Sequence, residues 1–265
     1  RDRTIELGYL FPILPLRWME HYYGDHDNAL ISMDIRYRPI NNLSLYGEFL
    51  IDDETFSVSW TKSYANKWGF LFGLHNTNFL TISDLAFNFE YSRVEPYVYT
   101  HRFHINRYMN LDSYLGNPYG PDSETIDLKL KYFYNLNTNI TLGYTRANIG
   151  EPLWGLPDEP DDYKIENKVF LRGTVEKINY YYAELSYFYN KYIGVDLFYS
   201  HTDIINYNHN LPVYDDNWYG DYVAGTYTDY DDYYDQEILP DKQYQVYSNN
   251  TFRITLNLMF KNYLF

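Results

Sequence analysis

Polar and apolar residues alternate with a period of two along most of this chain, in segments too long and too numerous for most folds. Ile31, Met33, Ile35 and Tyr37 share one face, with Ser32, Asp34, Arg36 and Arg38 on the other. Leu43, Leu45, Gly47, Phe49 and Ile51 oppose Ser44, Tyr46, Glu48 and Leu50, and Leu85, Phe87, Phe89 and Tyr91 oppose Ala86, Asn88, Glu90 and Ser92. Ile126, Leu128, Leu130, Tyr132 and Tyr134 oppose Asp127, Lys129, Lys131 and Phe133, and Phe252 to Phe260 alternate with Arg253, Thr255, Asn257 and Met259. Successive side chains of a strand point to opposite faces, so each run is a strand with one oily side. The runs approach the ~9–11 residues that a tilted strand needs to cross a bilayer. Further strands are expected at 4–13, 68–76, 139–148, 167–176, 180–189 and 193–203, with 167–189 read either as a hairpin or as one long strand. That makes about eleven segments, with turns at 39–42 and 135–139, where Pro and Asn gather.

An alternating strand fits a soluble sandwich or a membrane barrel. Two features favour the barrel. Charged residues sit in mid-strand on the polar faces (Asp34, Arg36, Glu48, Glu90, Lys129, Lys131, Arg253), as a wet lumen allows. The chain also ends in an aromatic-rich strand finishing at Phe265. Its 34 Tyr suit a protein with two wet–apolar boundaries, because the ring prefers the apolar side and the hydroxyl prefers water. No run reaches the ~18–20 apolar residues of a membrane helix. The mean hydropathy of -0.53 fits strands that show lipid only every second residue. The chain opens Arg1-Asp2-Arg3 with no initiator Met or leader, as a mature or truncated product would. The fold class expected is thus all-β: one antiparallel transmembrane β-barrel domain over 1–265, complete here or lacking N-terminal strands.

With no Cys, disulfides, thiolate nucleophiles and Cys-bound metals are excluded, and no cofactor or metal is expected. A net charge of -15 argues against nucleic acid. Five acids fall in 151–162, and nine more in 215–241, where there is no Lys or Arg. Long connections at 12–27, 94–123, 149–166 and 204–241 are where specificity belongs. With the C-terminus on the periplasmic side, 204–241 faces outward.

Each motif has a plain reading beside a functional one. Tyr23-Gly24-Asp25-His26-Asp27-Asn28 offers cation ligands or a turn. Asp52-Asp53-Glu54 places adjacent carboxylates on opposite faces of a strand, poor for an acid/base pair and good for anchoring a loop. In Glu90-Tyr91-Ser92-Arg93 and Glu95-Pro96-Tyr97-Val98-Tyr99-Thr100-His101, Glu90 faces the lumen while Arg93 and His101 lie near the rim. Tyr97, Tyr99 and His101 make either a ledge for sugar rings or part of an interfacial girdle. Leu115 to Ser123, holding Asn117, Tyr119 and Asp122, is an ordered turn-rich loop with no phosphate-loop lysine. Between Tyr214 and Asp235, aromatics such as Trp218 and Tyr219 mix with carboxylates, which suits hydroxyl-rich glycans, Ca²⁺ or plain solvation. His201, Asp203, His209 and Ser248 supply hydrolase residue types without a nucleophile elbow.

Taken together these segments resemble the Wzi family of capsule-assembly outer-membrane proteins. The resemblance rests on Gly24 to Asn28, Leu45-Tyr46-Gly47-Glu48-Phe49 with Ile51-Asp52-Asp53, Glu90 to Arg93 with Pro96 to His101, and Leu115-Gly116-Asn117 with Gly120-Pro121-Asp122-Ser123. It covers about residues 20–125, and family members are about twice as long, so the chain looks like a C-terminal portion. The resemblance implies a monomeric barrel, closed or plugged by its loops, that binds capsular polysaccharide at the cell surface like a lectin, without catalysis. Outer-membrane lipid and lipopolysaccharide would be its other partners. The candidate glycan-binding residues are Glu90, Arg93, Tyr97, Tyr99, His101, Asn117, Tyr119, Asp122, Trp218 and Tyr219. The alternative is a porin, in which Arg36, Arg38, Lys129 and Lys131 face Glu48 and Glu90 across a pore.

Overall fold

A computed structural model describes residues 28–101, 106–110, 113–151, 168–206 and 246–258. Nine strands form one sheet: β1 (Ile31–Ile40), β2 (Leu43–Asp53), β3 (Lys67–Thr77), β4 (Leu85–Val94), β7 (Ser123–Asn135), β8 (Thr138–Ile149), β9 (Glu176–Asn190), β10 (Ile193–Ile205) and β11 (Val246–Leu258). Between β4 and β7 lies a small hairpin of β5 (Met109–Asn110) and β6 (Ser113–Tyr114). Every neighbour in the large sheet is antiparallel, and spatial order follows chain order. The short links β1–β2, β7–β8 and β9–β10 lie at one end of the sheet with the turn before β4. The strand ends joined by the long connections lie at the other end.

The alternation assigns the faces as the sequence implies. Register places Met33, Phe49 and Phe70 abreast, then Phe72 with Tyr91, and Leu128 between Phe89 and Tyr144. The same face continues through Tyr181, Leu185, Leu197, Phe252, Ile254 and Leu256. No second sheet covers this face among the described residues, and Ile35, Leu142 and Ile254 are 68%, 51% and 64% exposed. A sandwich would bury them. The closed barrel is not seen either: among the described residues β1 pairs only with β2 and β11 only with β10.

Where the apolar face ends, toward the long connections, the tips of its aromatics follow one rule. The Tyr91 hydroxyl donates to Glu124 at 3.2 Å, Tyr144 to Asn179 at 3.0 Å and Tyr199 to Asn250 at 2.7 Å. Each acceptor lies on the next strand, two residues nearer the long-connection end than the tyrosine's own partner. Trp68 Nε1 points the same way, donating to the Trp60 carbonyl at 3.0 Å.

The opposite face is polar and internally bonded. Tyr46 on β2 reaches across Gly73 on β3 to donate to Glu90 on β4, with Arg36 over its ring. A Cβ at Gly73 would sit inside that ring, and one at Gly143 inside the ring of Tyr182, so only glycine lets these tyrosines lie flat across a strand. Thr145 donates to Asp127 at 2.6 Å one strand further on.

Two expectations need correction. Residues 168–175 form no strand, because Leu171 and Gly173 take positive φ (55° and 65°) and break the extended run. One strand, β9, follows, so 167–189 is neither a hairpin nor one long strand. The segments 4–13 and 204–241 lie wholly or mostly outside the described residues, as do Phe260 and Phe265.

Candidate functional site

At the long-connection end, Val94 leaves β4 on the polar face and enters the small apolar core. Val94, Val98 and Tyr99 pack there against Leu30, Leu50 and Tyr114. Glu95 follows, 1% exposed. One carboxylate oxygen accepts from Arg93 Nε (2.7 Å) and Nη2 (2.6 Å), the other from Lys168 Nζ (3.0 Å). Lys168 also donates to the Asn66 carbonyl at 2.9 Å. Burial pushes the Lys168 ammonium below its usual pKa, and Glu95 opposes that. Asn66 is itself wholly buried, accepting from the Thr55 amide and donating within 55–59, which folds that loop. The Arg93 guanidinium lies 3.6 Å over the Phe170 ring, so the charge pair is roofed by aromatics.

Asp122, 2% exposed, is the second hub. Its two oxygens accept the amides of Leu171 (2.7 Å) and Arg172 (2.9 Å). Its amide donates to the Glu95 carbonyl, and its carbonyl accepts from Gly150. Connections 54–66, 95–122 and 150–175 are thus tied by two buried carboxylates.

Burial raises the Asp122 pKa from 3.8 to about 6, against the two amides, which lower it. The folded state therefore holds this proton more tightly than the unfolded chain. The stabilising contribution is full below about pH 4 and is lost as pH rises through about 6, a swing of about 3 kcal/mol. Amide exchange at Leu171 and Arg172 should accelerate from pH 4 to pH 7 beyond its intrinsic pH dependence. Asp122→Asn should abolish that excess. An unaltered excess in the variant would refute the assignment.

Between the described parts of the connection 99–118 (99–101, 106–110 and 113–118) and the polar face of β1–β4 lies a cavity of about 650 Å³. Its walls include Ser32, Glu48, Leu50 and Ser92 from the strands, with Tyr99, Tyr108 and Asn117 from above. Tyr99 is fixed by its amide donating to Asp52 (2.6 Å) and by its hydroxyl accepting the Asn117 amide (3.1 Å). Asn117 Nδ2 donates to Ser92 Oγ at 3.0 Å. Burial pushes up the hydroxyl pKa of Tyr99, Tyr114 and Tyr119, so all three stay protonated at neutral pH. A wall of fixed rings, amides and a carboxylate can hold a hydroxyl-rich molecule, by stacking and hydrogen bonding.

The candidates read from sequence separate on this frame. Tyr99 and Asn117 line the cavity; Tyr119 stands beside them, its amide donating to Asn117 Oδ1 at 2.9 Å. Tyr97 is buried edge-on against Tyr64, and with Asp122 and Arg93 it serves the loop frame. Glu90 lies in mid-wall on Tyr46, away from the cavity. His101 is half-buried at the end of its described stretch, and Trp218 and Tyr219 lie outside the described residues. Asp52 proves to be a loop anchor, while Asp53 on the other face pairs with Lys67 at 3.7 Å. Sequence reasoning missed Asn66, Tyr108 and Lys168. Only a lysine in an apolar run, Lys168-Val169-Phe170-Leu171, hinted at the last.

His201, Asp203 and Ser248 do meet, on the apolar side of the sheet above the aromatic tips. Asp203 stands between them, bonded to His201 Nε2 at 2.8 Å and to the Ser248 hydroxyl, and His201 Nδ1 faces Asn250. In the order Ser–Asp–His the imidazole does not touch the hydroxyl it would have to activate.

No curated protein and no solved structure matches this chain. The family model described as capsule assembly protein Wzi matches residues 22–211, a span holding β1 to β10 and all the loop ties above. Because that match spans more than half of the chain, and its first part holds the motifs above, the chain belongs to the Wzi family of capsule assembly proteins.

Proposed function

We propose that this chain is the wall of an outer-membrane barrel whose long-connection end binds capsular polysaccharide at the cell surface, without chemistry on it. The observation that carries this is the uncovered apolar face ending in Tyr91, Tyr144, Tyr199 and Trp68, whose polar tips all turn toward the long connections. Water around that face would be costly; lipid removes the cost and sets the rings at its boundary. Short turns at one end and long connections at the other match the periplasmic and outer ends of such barrels. Above the rings, Arg146 and Lys177 stand where lipopolysaccharide headgroups would lie. The tied loops over the cavity then form a rigid, monomeric receptor.

The full chain expressed in encapsulated cells should fractionate with the outer membrane. Tyr108→Ala and Asn117→Ala should lower polysaccharide retention several-fold while heat-modifiable migration stays normal. A chain freely soluble without detergent, or unchanged retention by both folded variants, overturns the reading. Single-channel conductance should be low, because the connection 99–118 lies over the inner wall.

A further inference from the structure

We infer that the cavity beneath the 99–118 connection selects an uncharged sugar unit and turns uronic acids away. This rests on the polysaccharide reading above and adds the ligand's charge class. Glu48 reaches the cavity from β2, and among the described residues no Lys, Arg or His lines it. Directly opposite on β1 stands Asp34, in register with Glu48. Like charges placed so are unfavourable in a sheet, and neither has a hydrogen-bond or ion-pair partner among the described residues. Arg36, one step further along the polar face, is drawn over the Tyr46 ring, and Arg107 in the covering connection does not line the cavity.

The cavity therefore presents unused acceptor capacity at negative potential. Sugar hydroxyls donate to such carboxylates in short charge-assisted bonds, whereas a uronate brings a third negative charge. A donor is unused as well: Asn28 Nδ2, buried at the cavity, has no hydrogen-bond partner among the described residues. A buried donor left open is unfavourable, and a sugar oxygen would satisfy it. Tyr108, its ring centroid 5.7 Å from that of Tyr99, also lines the cavity, and an aromatic ring there suits the C–H side of a pyranose.

The test uses the full chain in detergent micelles. Oligogalacturonate and the same oligomer after carboxyl reduction are titrated by calorimetry at low salt; the two share length and linkage, with each carboxylate replaced by an uncharged hydroxymethyl group. The reduced oligomer should bind roughly tenfold tighter or more, the scale of one unscreened like-charge contact. Glu48→Gln should shrink that ratio, and Glu48→Lys should reverse it. Asn28→Ala should weaken the reduced oligomer and leave the ratio less changed than Glu48→Gln does. Equal binding of both oligomers, or a ratio unmoved by Glu48→Lys, overturns the inference. So does failure of both to bind while cells retain polysaccharide, and that outcome leaves the wider reading standing. Failure of retention on cells as well removes both.

Discussion

Leu128→Arg is expected to cost roughly 2–4 kcal/mol and to leave little assembled protein in the outer membrane, as a cation at mid-bilayer on a strand does. Leu128 stands on β7 with Phe89 on one side and Tyr144 on the other, well inside the apolar band. Its neighbour Lys129 points to the polar wall, between Asn88 and Gly143. Lys129→Gln should therefore stay within about 1 kcal/mol of the parent. The measurement is a urea titration in lipid vesicles, read by heat-modifiable migration. Equal tolerance of the two substitutions would mean that water, not lipid, covers the Leu128 face.

Glu95→Ala should produce the largest local loss, roughly 3–5 kcal/mol, the usual penalty for stranding one member of a buried ion pair. Lys168, its side chain 1% exposed, would keep only the Asn66 carbonyl as a hydrogen-bond acceptor, with the Trp68 ring beside it. The loss should appear as protease cutting in 168–175 and faster exchange at Leu171, Arg172 and Tyr99, with the sheet intact. Glu95→Ala combined with Lys168→Met should recover much of it, because removing both charges is far milder than removing one. Wild-type protection in the single variant would show that the pair holds nothing together.

The strands were legible because a period of two maps directly onto a face. Met33, Phe49, Leu128 and Ile254 stand where the alternation puts them. The loop frame was not, because its contacts join residues far apart in the chain. Tyr97 and Asp122 look like exposed loop residues from their neighbours in sequence. Asp122 is buried because Leu171 and Arg172 come to it, and nothing in the local pattern of either segment announces that. The reading of 167–176 as a strand failed for a related reason: Phe170 lies against the Arg93 guanidinium and the Leu171 amide goes to Asp122, and positive φ at Leu171 bends the run there. The cavity was half legible. Tyr99 and Asn117 were candidates from their motifs, whereas Glu48 and Asn28, though in quoted motifs, were not among the candidates, because what brings them to the cavity is strand register and the fold of the connections.

The meander order of the sheet bears on how such a wall is put together. Each strand needs only the one made just before it, so hairpins can add in sequence without any segment threading past another. The separation between partners is small except at three seams, β4 with β7, β8 with β9 and β10 with β11. Closing a longer loop adds only about 0.6 kcal/mol per doubling, so those seams slow pairing more than they weaken it. The buried carboxylates Glu95 and Asp122 flank the first seam, where they help fasten the slower junction once it has formed.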